Sequence, residues 1–291
     1  MSRRGAVFFV PLLLVCSWMW LRSGSSGGGH GGGGQRQLHC FFLLDNTGSM
    51  NRLSSAVMTG FNEFVTHQQR QPGAMKMTLA QFNSEAPFEL RFEARDVHSV
   101  APLSSFTPSG QTPLYDALAM LIDHALKVER ETERDVVIAV FTDGEENASR
   151  RYKREQVFRM IEQRRKQGWT FVFLGANQDS FGSASALGMS RHSTSNYVAD
   201  ARGVRASWSD LSHSTLRARK VLRSGRARTE SERDEYLKGF DSAEQDFQRR
   251  GGRGLAHAAA PGRGHGYGQH GHGHGGRGRH GWSRRTGSHV D

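Results

Sequence analysis

Short apolar runs recur along the middle of the chain and predict strands. The run at 38–44 is almost continuously apolar and is bounded by turn residues, as in a strand buried on both faces of a sheet. The β-branched run at 136–141 has the same character, whereas 75–82 alternates apolar with polar or small residues. Six strands are predicted in this way, at residues 38–44, 75–82, 88–92, 136–141, 169–174 and 197–198.

Helical periodicity fills the intervals between these strands. Leu53, Val57 and Phe61 recur at the spacing of one helical face. Thr112 followed by Pro113 predicts the start of another helix, with the threonine as N-cap and the proline at the first helical position. Helices are predicted at residues 51–71, from 112 onward, and at 150–167, 181–187 and 204–222.

The order of these elements predicts the fold class. Strands that alternate with helices are typical of α/β proteins, in which helices cover both faces of a mainly parallel sheet. We therefore expect a doubly wound, mainly parallel six-stranded sheet. The strand pair at 75–82 and 88–92, joined by a short turn, would supply one antiparallel edge strand. In open sheets of this kind ligands bind at the carboxyl ends of the strands.

The net charge of +11 is concentrated in the two ends of the chain. Twelve of the 39 basic residues and one of the 28 acidic residues lie in segments 1–37 and 249–291, so 27 of each remain in the body. A nucleic-acid-binding domain is expected to carry an excess of positive charge on its own face. The body shows no such excess, and its composition is that of an ordinary neutral domain.

The N-terminal segment has the pattern of an export signal. Two arginines, Arg3 and Arg4, precede an uncharged apolar stretch at 5–21, and small residues follow Arg22. This order predicts either a cleaved secretory signal peptide or an uncleaved membrane anchor at 1–22. The protein would then be secreted or membrane-anchored. If the start site is mispredicted, it would be cytoplasmic.

Composition divides the remainder of the chain. A Gly/Ser-rich linker is predicted at 23–36, the α/β domain at 37–222, and a charged, partly helical extension at 223–248. The Gly/Arg/His-rich tail at 249–291 is predicted to be disordered, because it has too few apolar residues to form a core. Arginines and a few aromatic residues in such a tail could bind RNA or another polyanion weakly.

Three loops at predicted strand ends carry side-chain oxygens. The first supplies Asp45, Thr47 and Ser49, the second Thr112, and the third Asp143. Together they offer two carboxylates and three hydroxyls, without cysteine or histidine. Hard oxygen ligands with little negative charge suit Mg²⁺ or Mn²⁺, which keep several waters. An ion held in this way stays electrophilic and favours a carboxylate from outside, which is a mechanism of binding and not of catalysis.

At these residues the chain resembles the von Willebrand factor type A (vWA) domain family. The metal-ion-dependent adhesion site of that family has the form Asp-x-Ser-x-Ser, with a separate threonine and an aspartate after a later strand. The first motif here reads Asp45-x-Thr47-x-Ser49, in which Thr47 keeps the hydroxyl of the commoner serine. The resemblance implies that Thr112 is the separate threonine and Asp143 the later aspartate.

The resemblance extends over residues 38–222 and is greatest to the small stand-alone vWA proteins of bacteria and phages. It rests further on the sequences that follow two predicted strands, at 141–150 and 173–177. It implies a metal-dependent module for adhesion or scaffolding, and not an enzyme. The partner would be a protein that offers an acidic residue to the ion.

Each residue of the candidate site also has a structural interpretation. Ser49 and Thr112 lie just before predicted helices and could be N-caps, and the two aspartates could accept backbone N–H bonds in turns. Asn147 and Ser149, in the third loop, are expected to cap a helix in this way.

A second functional hypothesis treats Asp45 as a nucleophile. The sequence from Asp45 to Ser49 resembles the Asp-x-x-Gly-Thr loop of haloacid-dehalogenase-type phosphatases, in which the aspartate attacks phosphorus. Those enzymes also need a later lysine and an acidic pair in a Gly-Asp-x-x-x-Asp setting, and Thr142-Asp143-Gly144 does not have that order. A phosphohydrolase therefore ranks below a binding module.

Overall fold

The computed structural model describes residues 36–129, 134–176, 184–189, 194–237 and 245–250. The strands are β1 (Leu38–Asp45), β2 (Met75–Phe82), β3 (Glu89–Asp96), β4 (Asp135–Thr142), β5 (Thr170–Gly175) and β6 (Thr194–Asn196). The helices are α1 (Ser54–Gln69), α2 (Leu114–Val128), α3 (Arg154–Lys166), α4 (Ala201–Leu222) and α5 (Glu230–Leu237). Two short 3₁₀ turns occupy Gly48–Leu53 and Val97–Ser99.

The six strands form one sheet in the order β3-β2-β1-β4-β5-β6. Every pairing is parallel except that of β3 with β2, so β3 is the antiparallel edge strand. The predicted fold class, an α/β sheet with a single antiparallel edge strand, is therefore confirmed. Strands β1 and β4 lie side by side at the centre of the sheet.

Two hydrophobic layers cover the sheet. Alternate residues of β1 point to opposite faces, with Phe42 packing in the layer of α1 and α4 and Phe41 in the layer of α2 and α3. The α1–α4 layer is centred on Trp208, whose ring stacks on Phe141 at 5.2 Å between centroids. Gly60 of α1 lies against that ring, and a Cβ there would come within 2.2 Å of it. The two helices therefore approach closely because this residue has no side chain.

Some predicted bounds were wrong. The weak strand expected near 197–198 is β6, which ends at Asn196. Tyr197 lies just beyond it, where its N–H still donates to Gly175 O of β5 at 2.9 Å and its ring stacks on Phe141 at 4.9 Å. The helix expected at 150–167 begins at Arg154. The helix expected at 181–187 falls partly outside the described residues.

The chain beyond α4 packs against the body of the domain. Arg228 is buried and pairs with Asp135 at 3.2 Å, and its guanidinium lies 5.3 Å from the centre of the Tyr236 ring. Further along, Arg250 donates to Asp200 at 2.8 Å. The predicted domain boundary at 222 stays a prediction, although these contacts hold the following residues on the domain.

Three predicted segments lie almost wholly outside the described residues: the signal or anchor at 1–22, the linker at 23–36 and the tail at 249–291. Among the residues that the structure does describe, no helix combines the length and the apolar character that crossing a membrane requires.

Candidate metal centre

The carboxyl ends of β1 and β4 bring the first and third loops together. These strands are neighbours, with Leu44 beside Phe141, so Asp45 and Thr142 end them at the same edge of the sheet. Asp45 is fully buried and accepts two hydrogen bonds, from Thr47 N at 2.8 Å and from Thr142 Oγ1 at 2.5 Å. Both oxygens of its carboxylate are therefore held in place by the protein.

Ser49 links the first loop to Asp143. It lies in the 3₁₀ turn Gly48–Leu53, and its Oγ donates to Asp143 Oδ1 at 2.6 Å. Thr47 Oγ1 lies 3.2 Å from the same Ser49 Oγ. The Asp143 side chain is fully buried, whereas Ser49 is exposed. The hydroxyls of Thr47 and Ser49 and the carboxylate of Asp143 thus form one connected group.

Thr112 reaches this group from the second loop. Gly48 N donates to Gly110 O at 3.0 Å, which ties the first loop to the second. A Cβ placed on Gly144 would lie 3.2 Å from Thr112 Oγ1 and 3.6 Å from Ser49 Oγ. Both hydroxyls therefore face the same small region beside Gly144. All five residues singled out from the sequence lie around this one corner of the sheet.

The capping role expected for Thr112 is wrong. Pro113 occupies the N-cap position of α2 and makes no side-chain cap bond. The backbone N–H of Thr112 donates instead to Asn147 Oδ1 at 2.9 Å, and its carbonyl accepts from Asn147 N at 3.1 Å. Its hydroxyl makes no hydrogen bond to any other described residue, which leaves it available to a ligand.

The third loop caps α2, and not the helix that follows it. Tyr115 N donates to Glu146 Oε2 at 2.9 Å, and Asp116 N donates to Ser149 Oγ at 3.1 Å. In return the Asp116 carboxylate accepts backbone N–H groups from the three residues before Lys153, which are Arg150, Arg151 and Tyr152. Asp116 and Glu146 were missed in the sequence, because the bonds by which they join α2 to the third loop link residues more than 30 positions apart.

Arg52 is a further charged residue at this corner that the sequence motif does not include. Its Nη2 lies 3.5 Å from Asp143 Oδ2, and its side chain is 62% exposed. The 3₁₀ turn places it three residues after Ser49 and beside the outer oxygen of Asp143. A positive charge therefore already stands next to one of the two buried carboxylates.

The electrostatics of the site favour a cation. Burial raises the pKa of Asp45 to about 6, because desolvation disfavours the charged carboxylate. The hydrogen bonds from Thr142 and Thr47 oppose this rise, and the nearby charge of Asp143 adds to it. A bound cation would relieve both the desolvation and the mutual repulsion of the two carboxylates.

The donor set fits a hard divalent ion better than a softer metal. Within the described parts of the chain, no group of three or more His, Cys, Asp or Glu side chains is placed to hold a metal. The corner offers instead two carboxylates and three hydroxyls, the oxygen chemistry that Mg²⁺ and Mn²⁺ accept when waters complete their coordination.

Comparison with known proteins agrees with the fold. The chain matches no protein-family model, and its sequence matches no curated protein. Among solved structures it is similar to the pilus adhesin SpaC of Lactobacillus rhamnosus GG, with a TM-score of 0.50 and 12% identity over 63% of this chain and 30% of that one. It is also similar to the vWF domain of the type V pili tip protein Mfa5 from Porphyromonas gingivalis, with a TM-score of 0.46 and 8% identity over 68% and 99% of the two chains.

A third similar structure is proximal thread matrix protein 1 from the mussel byssus, with a TM-score of 0.44 and 15% identity over 61% of this chain. The chain spans 45% of the length of that protein. At such identities the likeness concerns the fold alone. Together with the strand order, the likeness to SpaC supports a doubly wound α/β fold.

Proposed function

We propose that this domain is a protein-binding module, for adhesion or scaffolding, that binds its partner through a Mg²⁺ or Mn²⁺ ion. The observation that carries the proposal is the convergence of Ser49 and Thr112 hydroxyls beside Gly144, next to two buried carboxylates. Turn or capping roles do not account for a Thr112 hydroxyl that bonds to no other described residue and faces Ser49 from another loop.

The contacts of each residue suggest its role in holding the ion. Asp45, Thr47 and Ser49 would hold the ion, directly or through water, and Thr112 would complete the site from the facing loop. Asp143 orients Ser49 through its 2.6 Å hydrogen bond. The bound ion would supply an electrophilic position that a carboxylate can occupy. Ser49 is exposed and makes this corner accessible to such a ligand, whereas Thr112 lies buried behind it.

The partner that this chemistry suits is a protein with an exposed Asp or Glu. The likeness in fold to a pilus adhesin agrees with such a role. Export through residues 1–22, as a secreted or membrane-anchored protein, would place the domain where extracellular partners occur. RNA or polyanion binding by the tail is an additional hypothesis that can be tested by removing residues 251–291.

The phosphohydrolase hypothesis has less support from the geometry. A nucleophilic carboxylate needs a free oxygen directed at the phosphorus atom. Asp45 is fully buried, and each of its oxygens accepts a hydrogen bond from the protein. An aryl-phosphatase assay with Mg²⁺ tests this alternative directly, and turnover that Asp45→Asn removes would favour it.

Calorimetric titration of Mn²⁺ and Mg²⁺ into the full chain tests the metal site. We expect saturable binding that Ser49→Ala weakens at least tenfold, since even residues that only support metal ligands change affinity by roughly 10–100-fold. Ser104→Ala removes a hydroxyl from another exposed serine and should bind the ion as the wild type does. Absence of saturable binding by the wild type would contradict the metal site.

A displayed peptide library, panned in Mg²⁺ and again in EDTA, tests the binding mode. We expect selected peptides to share an acidic residue and to be released by EDTA, and to fail with the Ser49→Ala protein. Changing that acid to its amide should abolish binding. Peptides that bind equally well in EDTA would refute a metal-mediated mechanism.

A further inference from the structure

A basic cavity lies at the end of the sheet where the parallel strands begin, opposite the strand ends that carry the candidate metal centre. The helices run back against the parallel strands, so α1 and α4 both end near the strand starts. A cavity of 220 Å³ opens between these helix ends, well above the roughly 15 Å³ that one water needs. Its lining residues, here called the basic cavity, are Gln71, Pro72, Leu216, Arg217, Arg219, Lys220 and Arg223.

Arg219 is the fixed element of this cavity. It is 3% exposed, and its guanidinium donates to Gln68 O at 2.6 Å, to Gln71 O at 3.1 Å and to Gly73 O at 2.5 Å. These partners are neutral carbonyls, and Arg219 has no ion pair with any acid in the described residues. Its Nε is buried and has no hydrogen-bond partner among the described residues. The guanidinium is therefore held rigidly without a full counter-charge.

Buried charges in proteins are normally paired, because removing an ion from water is costly. The carbonyls at the end of α1 carry part of a negative charge and offset some of that cost. Three further cations line the same cavity, however, and together with Arg219 they make four positive groups without an acid among the lining residues. The residues that line the cavity therefore carry four positive charges and no negative one.

The other three cations are exposed and make few contacts with other side chains. Arg217 donates to Ser214 Oγ at 2.9 Å, and the aliphatic part of Arg223 packs over Gly73. Over the part of the chain that the structure describes, neither these arginines nor Lys220 forms a salt bridge. Glu232 and Glu235 of α5 line a neighbouring cavity together with Arg217 and Lys220, and Glu232 is already bonded to Arg226.

We propose that the basic cavity binds a phosphate group. A phosphate carries about two negative charges and offers several acceptor oxygens, which match the forked donors of arginine. A single carboxylate would leave most of the four positive charges uncompensated. This site is independent of the proposed metal centre, because it shares no residue with it and lies at the other edge of the sheet.

The experiment is a calorimetric titration of pyrophosphate into the full chain at low ionic strength. The test variant is Arg217→Gln/Arg223→Gln, which leaves the buried network of Arg219 intact. The matched control is Arg91→Gln/Arg95→Gln on β3, with the same loss of charge elsewhere on the domain. This control is needed because the basic tail at 249–291 attracts anions on its own. Circular dichroism confirms that both variants are folded.

We expect the test variant to lose at least tenfold in pyrophosphate affinity and the control to change less than twofold. Thermal unfolding gives a second measure, since pyrophosphate should raise the midpoint of the wild type and control more than that of the test variant. Equal binding by wild type and test variant, or equal losses in both variants, would overturn the proposal.

Co-sedimentation with vesicles identifies the source of the phosphate. Vesicles of phosphatidylcholine with phosphatidic acid are compared with phosphatidylcholine alone. If the phosphate belongs to a lipid headgroup, the wild type sediments with the acidic vesicles more than the test variant does. If pyrophosphate binds but the two proteins sediment alike, the ligand is a soluble phosphate compound. Both results support a phosphate site.

Discussion

Replacing Asp45 by asparagine separates the effect of the buried carboxylate on the free energy of unfolding from its proposed role in metal binding. The pKa of this carboxyl is about 6 in the fold, against an ordinary value of 3.8. A difference of about two pH units corresponds to about 3 kcal/mol, at roughly 1.4 kcal/mol per unit. Because the fold favours the protonated form, this group stabilises folding below pH 3.8, and that contribution is lost as the pH rises through 6.

An asparagine amide at position 45 should fit the site without this pH-dependent loss of stability, because it does not ionise. Its oxygen can accept from Thr47 N, and its NH₂ can donate to Thr142 Oγ1, whose own proton can turn to Gly144 O at 3.2 Å. In EDTA at pH 7.5 we therefore expect Asp45→Asn to be more stable than the wild type, by up to about 3 kcal/mol. About half of that advantage should disappear by pH 5, where the wild-type carboxyl is largely protonated.

Urea unfolding at the two pH values, with and without Mn²⁺, measures both effects. Mn²⁺ should raise the midpoint of the wild type and leave that of Asp45→Asn unchanged, because the amide no longer offers an anionic oxygen. Glu85→Gln, which neutralises an exposed carboxyl, serves as the control and should change little. An Asp45→Asn protein less stable than the wild type in EDTA at pH 7.5 would refute this reasoning.

Three further substitutions test the surroundings of the site and the core. Arg52→Gln should tighten Mn²⁺ binding by about fivefold, since it removes a positive charge beside Asp143; an unchanged affinity in a calorimetric titration would contradict this. Gly144→Ala should weaken Mn²⁺ binding in the same titration while leaving the urea midpoint nearly unchanged, because the new methyl group fills the space before Thr112. Gly60→Ala should destabilise the domain by about 2 kcal/mol or more, since its Cβ would meet the Trp208 ring at 2.2 Å. Urea unfolding followed by tryptophan fluorescence measures that loss, and a midpoint equal to that of the wild type would contradict the close packing.

The central strands were predictable because both of their faces are buried. Such strands are apolar at nearly every position, as β1 and β4 are, and no tertiary information is needed to recognise them. The loops that follow them were predictable for the same reason, since Asp45 and Asp143 come directly after or at the end of these runs. The expectation that they meet at one edge followed from the parallel order.

The hydrogen bonds around Thr112 were not predictable from local sequence. A threonine before a proline and a helix has the local pattern of an N-cap, and only the approach of the third loop decides otherwise. Asn147 pairs with the backbone of Thr112, and Glu146 supplies the bond that a cap would have made. These choices depend on chain segments that meet only in the folded domain. Arg52 was missed similarly, because its position relative to Asp143 depends on the 3₁₀ turn.

The exchange of hydrogen bonds between α2 and the third loop has a consequence for transplanting this centre. Backbone N–H groups in the first turn of α2 donate to Glu146 and Ser149 of the loop. In the same turn, the Asp116 carboxylate accepts backbone N–H groups from the loop. Neither piece is complete alone. A graft of the Asp143 loop onto another protein would therefore need the start of α2 as well. Without Asp116, the backbone N–H groups of the loop would lack their acceptors, and the loop would not keep its conformation.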